Sequence, residues 1–193
     1  MDKIVIIRYN AGNIRSVDFA LRRLGIEAEI SDDPDIIRLA DKVIFPGVGE
    51  ASSTMDHLRQ RGLDEVIKNL SQPVLGICLG MQLMCSYSEE GTTECINIFD
   101  TGVLKFTSGK VPHMGWNALE GLKGALYNKI DSGTYVYYVH SYYIPENPFT
   151  TAVSHYGIRF SASMQRDNFF ATQYHPEKSG SYGEIILKNF IQL

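Results

Sequence analysis

Val74-Leu75-Gly76-Ile77-Cys78-Leu79-Gly80-Met81-Gln82 is the stretch whose reading decides the fold. Pro73–Ile77 is an apolar run of strand length, and a helix is expected to begin just after Gly80. Cys78 stands at the junction with a glycine two positions to either side. A nucleophile on a sharp strand-to-helix turn needs that spacing, because strand and helix pass too close there for side chains. The turn would expose the sulfur, and the helix N-terminus behind it favours a thiolate. A buried cysteine closing a core strand between incidental glycines fits this stretch alone just as well.

Upstream the same rhythm repeats. Lys3–Ile7 is a continuous β-branched run, as in a strand buried on both faces. Val17, Ala20, Leu21 and Leu24 recur at i, i+3, i+4 and i+7, one helical face, and Gly25 is placed to end it. Glu27–Ile30 reads as a second strand, and Asp33-Pro34 as an N-cap followed by proline at the first helical position. Val43-Ile44-Phe45 is a third strand, stopped by Pro46-Gly47-Val48-Gly49. A polar helical stretch runs from about Ser52 to Leu70, with Gly62 as the place where it can break. This alternation predicts an α/β fold with a mostly parallel central sheet and helices on both faces.

Beyond about Glu89 the texture changes. Thr134–Val139, Thr151–Ser154, Arg159–Ala162 and Phe169–Gln173 read as further strands, separated by turn residues at Asn147-Pro148, Gly157 and Asp167-Asn168. The spacing predicts antiparallel hairpins in the C-terminal half. Ile186, Leu187, Phe190 and Ile191 form the apolar stripe of a closing helix. With 193 residues and no repeat or linker, one domain spanning residues 1–193 is expected.

Eighteen Lys and Arg against twenty-two Asp and Glu leave a net charge of −4, which argues against nucleic acid as a partner. No apolar run is long enough to cross a membrane, and none resembles an export signal. Three cysteines, an odd number, point to a reducing compartment and a cytoplasmic location. His57, His113 and His155 lack metal-ligand spacing, so no metal site is expected.

A cysteine nucleophile needs a base and a group to orient it. His175 is the best placed of the five histidines, in Gln173-Tyr174-His175-Pro176-Glu177. Pro176 biases His175 toward an extended conformation, in which residues two apart point to the same side. Glu177 would hold the imidazole tautomer and stabilise the imidazolium. Taken alone, a His-x-Glu pair is more often a surface ion pair. Pro46-Gly47-Val48-Gly49 lies at the carboxyl end of the third strand, where open parallel sheets bind ligands. Its backbone N–H groups, joined by that of Leu79, could stabilise an oxyanion.

Together, Gly76–Gln82 and His175-Pro176-Glu177 resemble the class I (triad) glutamine amidotransferases. Tyr9–Val17, Pro46–Gly49, Val111-Pro112-His113-Met114-Gly115-Trp116-Asn117, Val139-His140-Ser141-Tyr142 and His175–Ser179 follow in order over nearly the whole chain. They resemble the branch of that family which supplies ammonia to imidazole glycerol phosphate synthases in histidine biosynthesis. The resemblance implies a three-layer, flavodoxin-like fold and glutamine hydrolysis by Cys78, His175 and Glu177. It implies an oxyanion hole at Gly47, Val48 and Leu79, and glutamine held by Gly49, Gln82, His140, Ser141 and Tyr142. It further implies no cofactor and a (β/α)₈-barrel cyclase as partner, forming a heterodimer and meeting Asn13, Trp116, Tyr137 and Lys178. The rival readings are another cysteine hydrolase, the glutaminase of a different amidotransferase, and a silent regulatory subunit. Two positions depart from the family pattern: Asn10-Ala11, where a glycine-rich turn is more usual, and Asn97, where glycine is expected. Cys85, seven residues beyond Cys78, is expected two turns up the helix in the core, and Cys95 is expected to be structural.

Overall fold

Four short runs, each wholly buried and three of them β-branched, build the centre of the molecule. The computed structural model describes residues 2–9 and 13–193, so the departure at Asn10-Ala11 lies outside the described residues. In the first half the order is β1 (Ile4–Ile7), α1 (Ile14–Arg23), β2 (Glu29–Ser31), α2 (Pro34–Arg38), β3 (Lys42–Phe45), α3 (Ala51–Gln60), α4 (Leu63–Lys68) and β4 (Val74–Ile77). Strands β1, β3 and β4 pair in parallel, and burial on both faces explains why they read as continuous apolar runs. The helices obey their punctuation. Asp33 accepts from the N–H groups of Asp35 and Ile36 ahead of Pro34, and Gly62, at φ 65°, separates α3 from α4.

The second half adds α5 (Leu79–Leu83), β5 (Cys85–Ser88), β6 (Thr93–Glu94), β7 (Phe99–Lys105), β8 (His113–Ala118), β9 (Tyr135–His140), β10 (Tyr142–Tyr143), β11 (Thr150–Tyr156), β12 (Ile158–Arg166), β13 (Phe169–Thr172) and α6 (Gly180–Ile191). The main sheet has the order β11-β12-β13-β4-β3-β1-β2. Its β11–β12 and β12–β13 pairs are the expected antiparallel hairpins, turning at Gly157 and Asp167, both at positive φ. Strand β13 then returns parallel to β4. That pairing sets the end of β13 beside the end of β4, and so His175 beside Cys78.

One expectation fails here. The helix after Cys78 is a single short turn ending at Leu83, so Cys85 begins β5 instead of lying two turns up the helix. Its burial is as expected. The helix stops because a neighbouring segment takes its last carbonyls: Ile96 N–H donates to Leu83 O at 2.9 Å, Ile98 to Met84 O at 2.8 Å and Asn97 to Cys85 O at 2.8 Å. Asn97 turns that segment at φ 59°, which explains why glycine is expected there and why asparagine serves. Strands β5 to β8 and β10 carry no alternation strong enough to be read in advance. They form two satellite sheets, β10-β7-β5-β6 and the β8–β9 pair.

The turn around Cys78 leaves no room for side chains. A Cβ on Gly80 would overlap the Phe45 carbonyl, one on Gly47 would lie 2.7 Å from Gly80 N, and one on Gly76 would lie 2.9 Å from Met84 Sδ. Gly80→Ala should therefore force β3 and α5 apart. Overpacking of this kind costs roughly 1–3 kcal/mol, and each kcal/mol corresponds to about 2–4 °C for a chain of this size. Thermal unfolding should show a loss of that order; an unchanged midpoint would mean the close approach is not built as described.

Candidate active site

Cys78 sits at φ 53° and ψ −106°, a left-handed conformation costly for a residue with a side chain. Two backbone bonds hold it there, Cys78 N–H to Thr172 O at 2.7 Å and Gln82 N–H to Cys78 O at 3.1 Å. The expected elbow is present. His175 follows β13 in an extended conformation, and Pro176–Lys178 then forms a 3₁₀ turn. Imidazole and carboxylate meet across that turn, rather than along a continuous strand as the spacing implied: His175 Nδ1 lies 2.8 Å from Glu177 Oε1. Both side chains are buried.

The opposite ring nitrogen, His175 Nε2, is buried and has no hydrogen-bond partner among the described residues. It is left for Cys78. Burial alone pushes this imidazole down, but the Cys78 sulfur and then the Glu177 carboxylate outweigh it and raise the ring to about 10. Such a shift describes a base that holds its proton near neutrality.

A cavity of about 280 Å³ opens over the sulfur, near the low end of small-molecule sites at roughly 300–1,000 Å³. Val48, Gly49, Cys78, Leu79, Gln82, His140, Ser141 and Tyr142 line it, which gathers all the expected substrate residues into one place. His140 is among them in an unexpected way. Its Nδ1 donates to Tyr142 O at 2.6 Å and its Nε2 faces His113 Nδ1 at 2.9 Å, so neither nitrogen is free for a ligand. His140 shapes the wall instead of binding directly. Burial pushes it down to about 3 and His113 down to about 4, which keeps the pair neutral.

The oxyanion loop is turned the other way. Gly47 presents its carbonyl to the elbow and accepts from Leu79 N–H at 3.3 Å. The donor that should meet an oxyanion is thus occupied, and the expected hole of Gly47, Val48 and Leu79 is not assembled in this structure. Gly47 does not itself line the cavity. Behind the loop, the buried Tyr9 hydroxyl donates to the Pro46 carbonyl and fixes the peptide just upstream.

The four expected partner-facing residues fall around the triad's outer side. Trp116 is 55% exposed and packs edge-on to Tyr137 at 6.0 Å between ring centres. Lys178 is exposed. Asn13 does more than border the site, because its side-chain amide donates to Glu177 Oε1, the oxygen that also receives His175. Glu90, Pro112 and Val139 also line the cavity; Pro112 and Val139 stand in the motifs quoted above without an expected role, and nothing in the spacing of Glu90 sets it apart. Glu90 is half-buried and its carboxyl is raised, first by burial and further by the nearby Glu50, against a hydrogen bond from Ala51 N–H. Cys95 is half-buried, and its thiol is pushed up to about 12 mainly by burial. No group of three or more His, Cys, Asp or Glu among the described residues could hold a metal.

With that geometry in place, comparisons with known proteins align. Residues 5–193 match the family described as glutamine amidotransferase class-I. The imidazole glycerol phosphate synthase subunit HisH of Bacteroides fragilis is 57% identical over 99% of this chain and its own full length. The subunit of the same name from Escherichia coli K12 is 46% identical over 98% of this chain and 99% of that protein. Among solved structures, a putative GMP synthase subunit of Thermoplasma acidophilum superposes with a TM-score of 0.77 at 22% identity, covering 100% of this chain and 94% of that one. At that identity it speaks for the fold.

The raised His175 makes a pH prediction. A folded-state value near 10, above 6.5 in the ordinary case, adds stability that is complete below about pH 6.5 and is lost as pH rises through about 10. Urea midpoints of the wild-type chain and His175→Asn should lie furthest apart at about pH 6.5 and below, and converge as pH rises through about 10. The imidazolium NMR signal of His175 should persist well above neutrality and titrate lower in Cys78→Ala. A ring that titrates near 6.5 in the wild type would refute the ion-pair assignment.

Proposed function

Since the chain belongs to the class-I glutamine amidotransferase family, we propose that it hydrolyses glutamine to glutamate and ammonia at Cys78 and delivers the ammonia to a cyclase subunit making imidazole glycerol phosphate. The observation that carries the chemistry is the His175–Glu177 pair behind a strained Cys78, opening into the cavity lined by Gln82 and Ser141. The relatives' shared subunit name carries the assignment to histidine biosynthesis.

Cys78 sulfur attacks the side-chain carboxamide carbon, and a tetrahedral oxyanion forms. The imidazolium of His175 gives its proton to the departing ammonia, leaving a thioester on Cys78. His175, now neutral, takes a proton from water as that water attacks the thioester. Glutamate leaves, and thiolate and imidazolium are restored. Glu177 holds the tautomer and offsets the ring's charge throughout.

The oxyanion needs donors that this loop orientation withholds. Turning the Gly47–Val48 peptide would release Leu79 N–H from Gly47 O and bring Val48 N–H to the same point. Tyr9 pins the Pro46 carbonyl, so the turn is confined to the Gly47–Val48 peptide, which the glycine on one side makes permissible. Losing one oxyanion donor costs ~10²–10³ in turnover, so the chain alone is nearly idle. Unregulated hydrolysis wastes ammonia, and the partner is proposed to stabilise the turned loop. By resemblance that partner is a (β/α)₈-barrel cyclase, bound as a heterodimer in the cytoplasm across Asn13, Trp116, Tyr137 and Lys178.

Glutamate release, measured with and without the cyclase subunit, tests the reading. Cys78→Ala should abolish it while partner binding survives. His175→Asn should be about as severe, because nucleophile and base act as a unit. Glu177→Gln should be milder; if it proved worse than His175→Asn, the roles would be misassigned. Lys178→Ala should raise glutamate formed relative to imidazole product in the complex. A ratio that stays near one for Lys178→Ala, Trp116→Ala and Asn13→Ala alike would remove this face as the docking surface.

A further inference from the structure

One wholly buried polar side chain at the site has no task in the chemistry above. Gln173 lies just after β13, and its two amide atoms serve different neighbours. Its Oε1 accepts from Gln82 Nε2 at 3.0 Å, and its Nε2 donates to Cys78 Sγ at 3.7 Å. The assignment of nitrogen and oxygen is not arbitrary. Gln82 Nε2 also donates to the Tyr142 carbonyl at 3.2 Å, and a carbonyl can only accept. That contact fixes the Gln82 amide with its nitrogen toward Gln173. Gln173 must answer with oxygen, which leaves its nitrogen for the sulfur. The reverse orientation would set two NH₂ groups against each other.

The sulfur therefore lies between two opposite partners. On one side is the Val139 carbonyl at 3.8 Å, which can hold only a protonated thiol. On the other is Gln173 Nε2, which can hold a thiolate. Attack requires the anion. We propose that Gln173 is a positioning residue, whose buried amide orients the Cys78 thiolate for attack and ties it, through Gln82, to the Tyr142 wall of the substrate cavity. This rests on the glutaminase reading for its physiological meaning, but the relay itself is a property of the sulfur's surroundings.

Two near-isosteric variants separate the links. Gln173→Glu keeps an acceptor for Gln82 but, when ionised, turns an acceptor toward the sulfur. Gln173→Met keeps the volume and loses both bonds. The direct readout is alkylation of Cys78 by iodoacetamide, followed by mass spectrometry on the Cys78 peptide. Loss of a hydrogen bond to a charged group corresponds to roughly ten- to a hundredfold, so Gln173→Glu should be alkylated at least about tenfold more slowly at neutral pH. Its KM for glutamine should stay near that of the wild type while kcat falls. Gln173→Met should lower kcat and also raise KM, because Gln82 loses the partner that holds it. A residue that merely filled the core would not split the two variants this way.

Wild-type alkylation rates in a folded Gln173→Glu would overturn the proposal. Should either variant fail to fold, the wild-type chain still decides. The side-chain ¹⁵N–H signals of Gln173 should move when Cys78 is alkylated and its charge removed, and signals that stay in place would overturn the proposal. A wild-type complex that releases no glutamate would sink the glutaminase reading instead, and the alkylation rates would still decide the role of Gln173.

Discussion

The carboxyl edge of the sheet depends on one close approach, the backbone of Gly80 against the carbonyl of Phe45. No Cβ fits between them, so the first turn of α5 slides beneath the end of β3. That puts Leu79 N–H next to Gly47 and leaves the chain a single residue, Cys78, in which to change from strand to helix. The resulting conformation costs about 1–3 kcal/mol for a residue with a side chain. It persists because β4 is clamped between β3 and β13, both paired to it in parallel along its length. The strain is thus not local to the cysteine. It is a consequence of three backbones being held closer than side chains allow.

A second constraint orders the polar interior, and it converges on the carbonyl of Tyr142. One chain of donors runs from Asn117 to His113, from His113 to His140, and from His140 Nδ1 to that oxygen. Another arrives as the amide of Gln82. A carbonyl has two lone pairs, and both are used. Because the terminal acceptor cannot donate, every proton position upstream is determined, including the tautomers of two neutral histidines. Burial keeps those rings uncharged, so the His113–His140 pair behind the cavity wall carries no charge near neutrality. His175 differs only in its neighbours: a sulfur and a carboxylate reverse the effect of burial.

These two constraints explain what was legible in the sequence. The parallel strands announce themselves because they are buried on both faces, and the elbow because its glycines are obligatory. His175 and Glu177 could be paired from spacing alone, although a 3₁₀ turn brings them together. The length of α5 could not be read, since it is ended by carbonyl capture from residues 96–98, a contact made only in the fold. Asn97 is the one trace of it, an asparagine at a left-handed position. Likewise His140 stands in a motif that marks the cavity, yet nothing in its neighbours on the chain says that both ring nitrogens are already spent. Gln173 and Glu90 escape a reading of the sequence for the same reason. Their roles are set by partners about ninety and forty residues away.

Asn13 shows how far local preference yields to the site. It occupies the N-cap of α1, where asparagine is among the most favoured residues because its side chain can accept from the first free N–H groups. Here it makes no such bond. Its amide turns away, donates to Glu177, and shares that carboxylate oxygen with His175. Forgoing a cap costs a helix ~1 kcal/mol, a penalty that α1 can bear because Val17, Ala20 and Leu21 are wholly buried in the core. In return the triad carboxylate is held from two directions, by the turn that carries it and by the start of a helix 164 residues away in the chain. The start of α1 and the innermost group of the active site are consequently joined through one carboxylate oxygen.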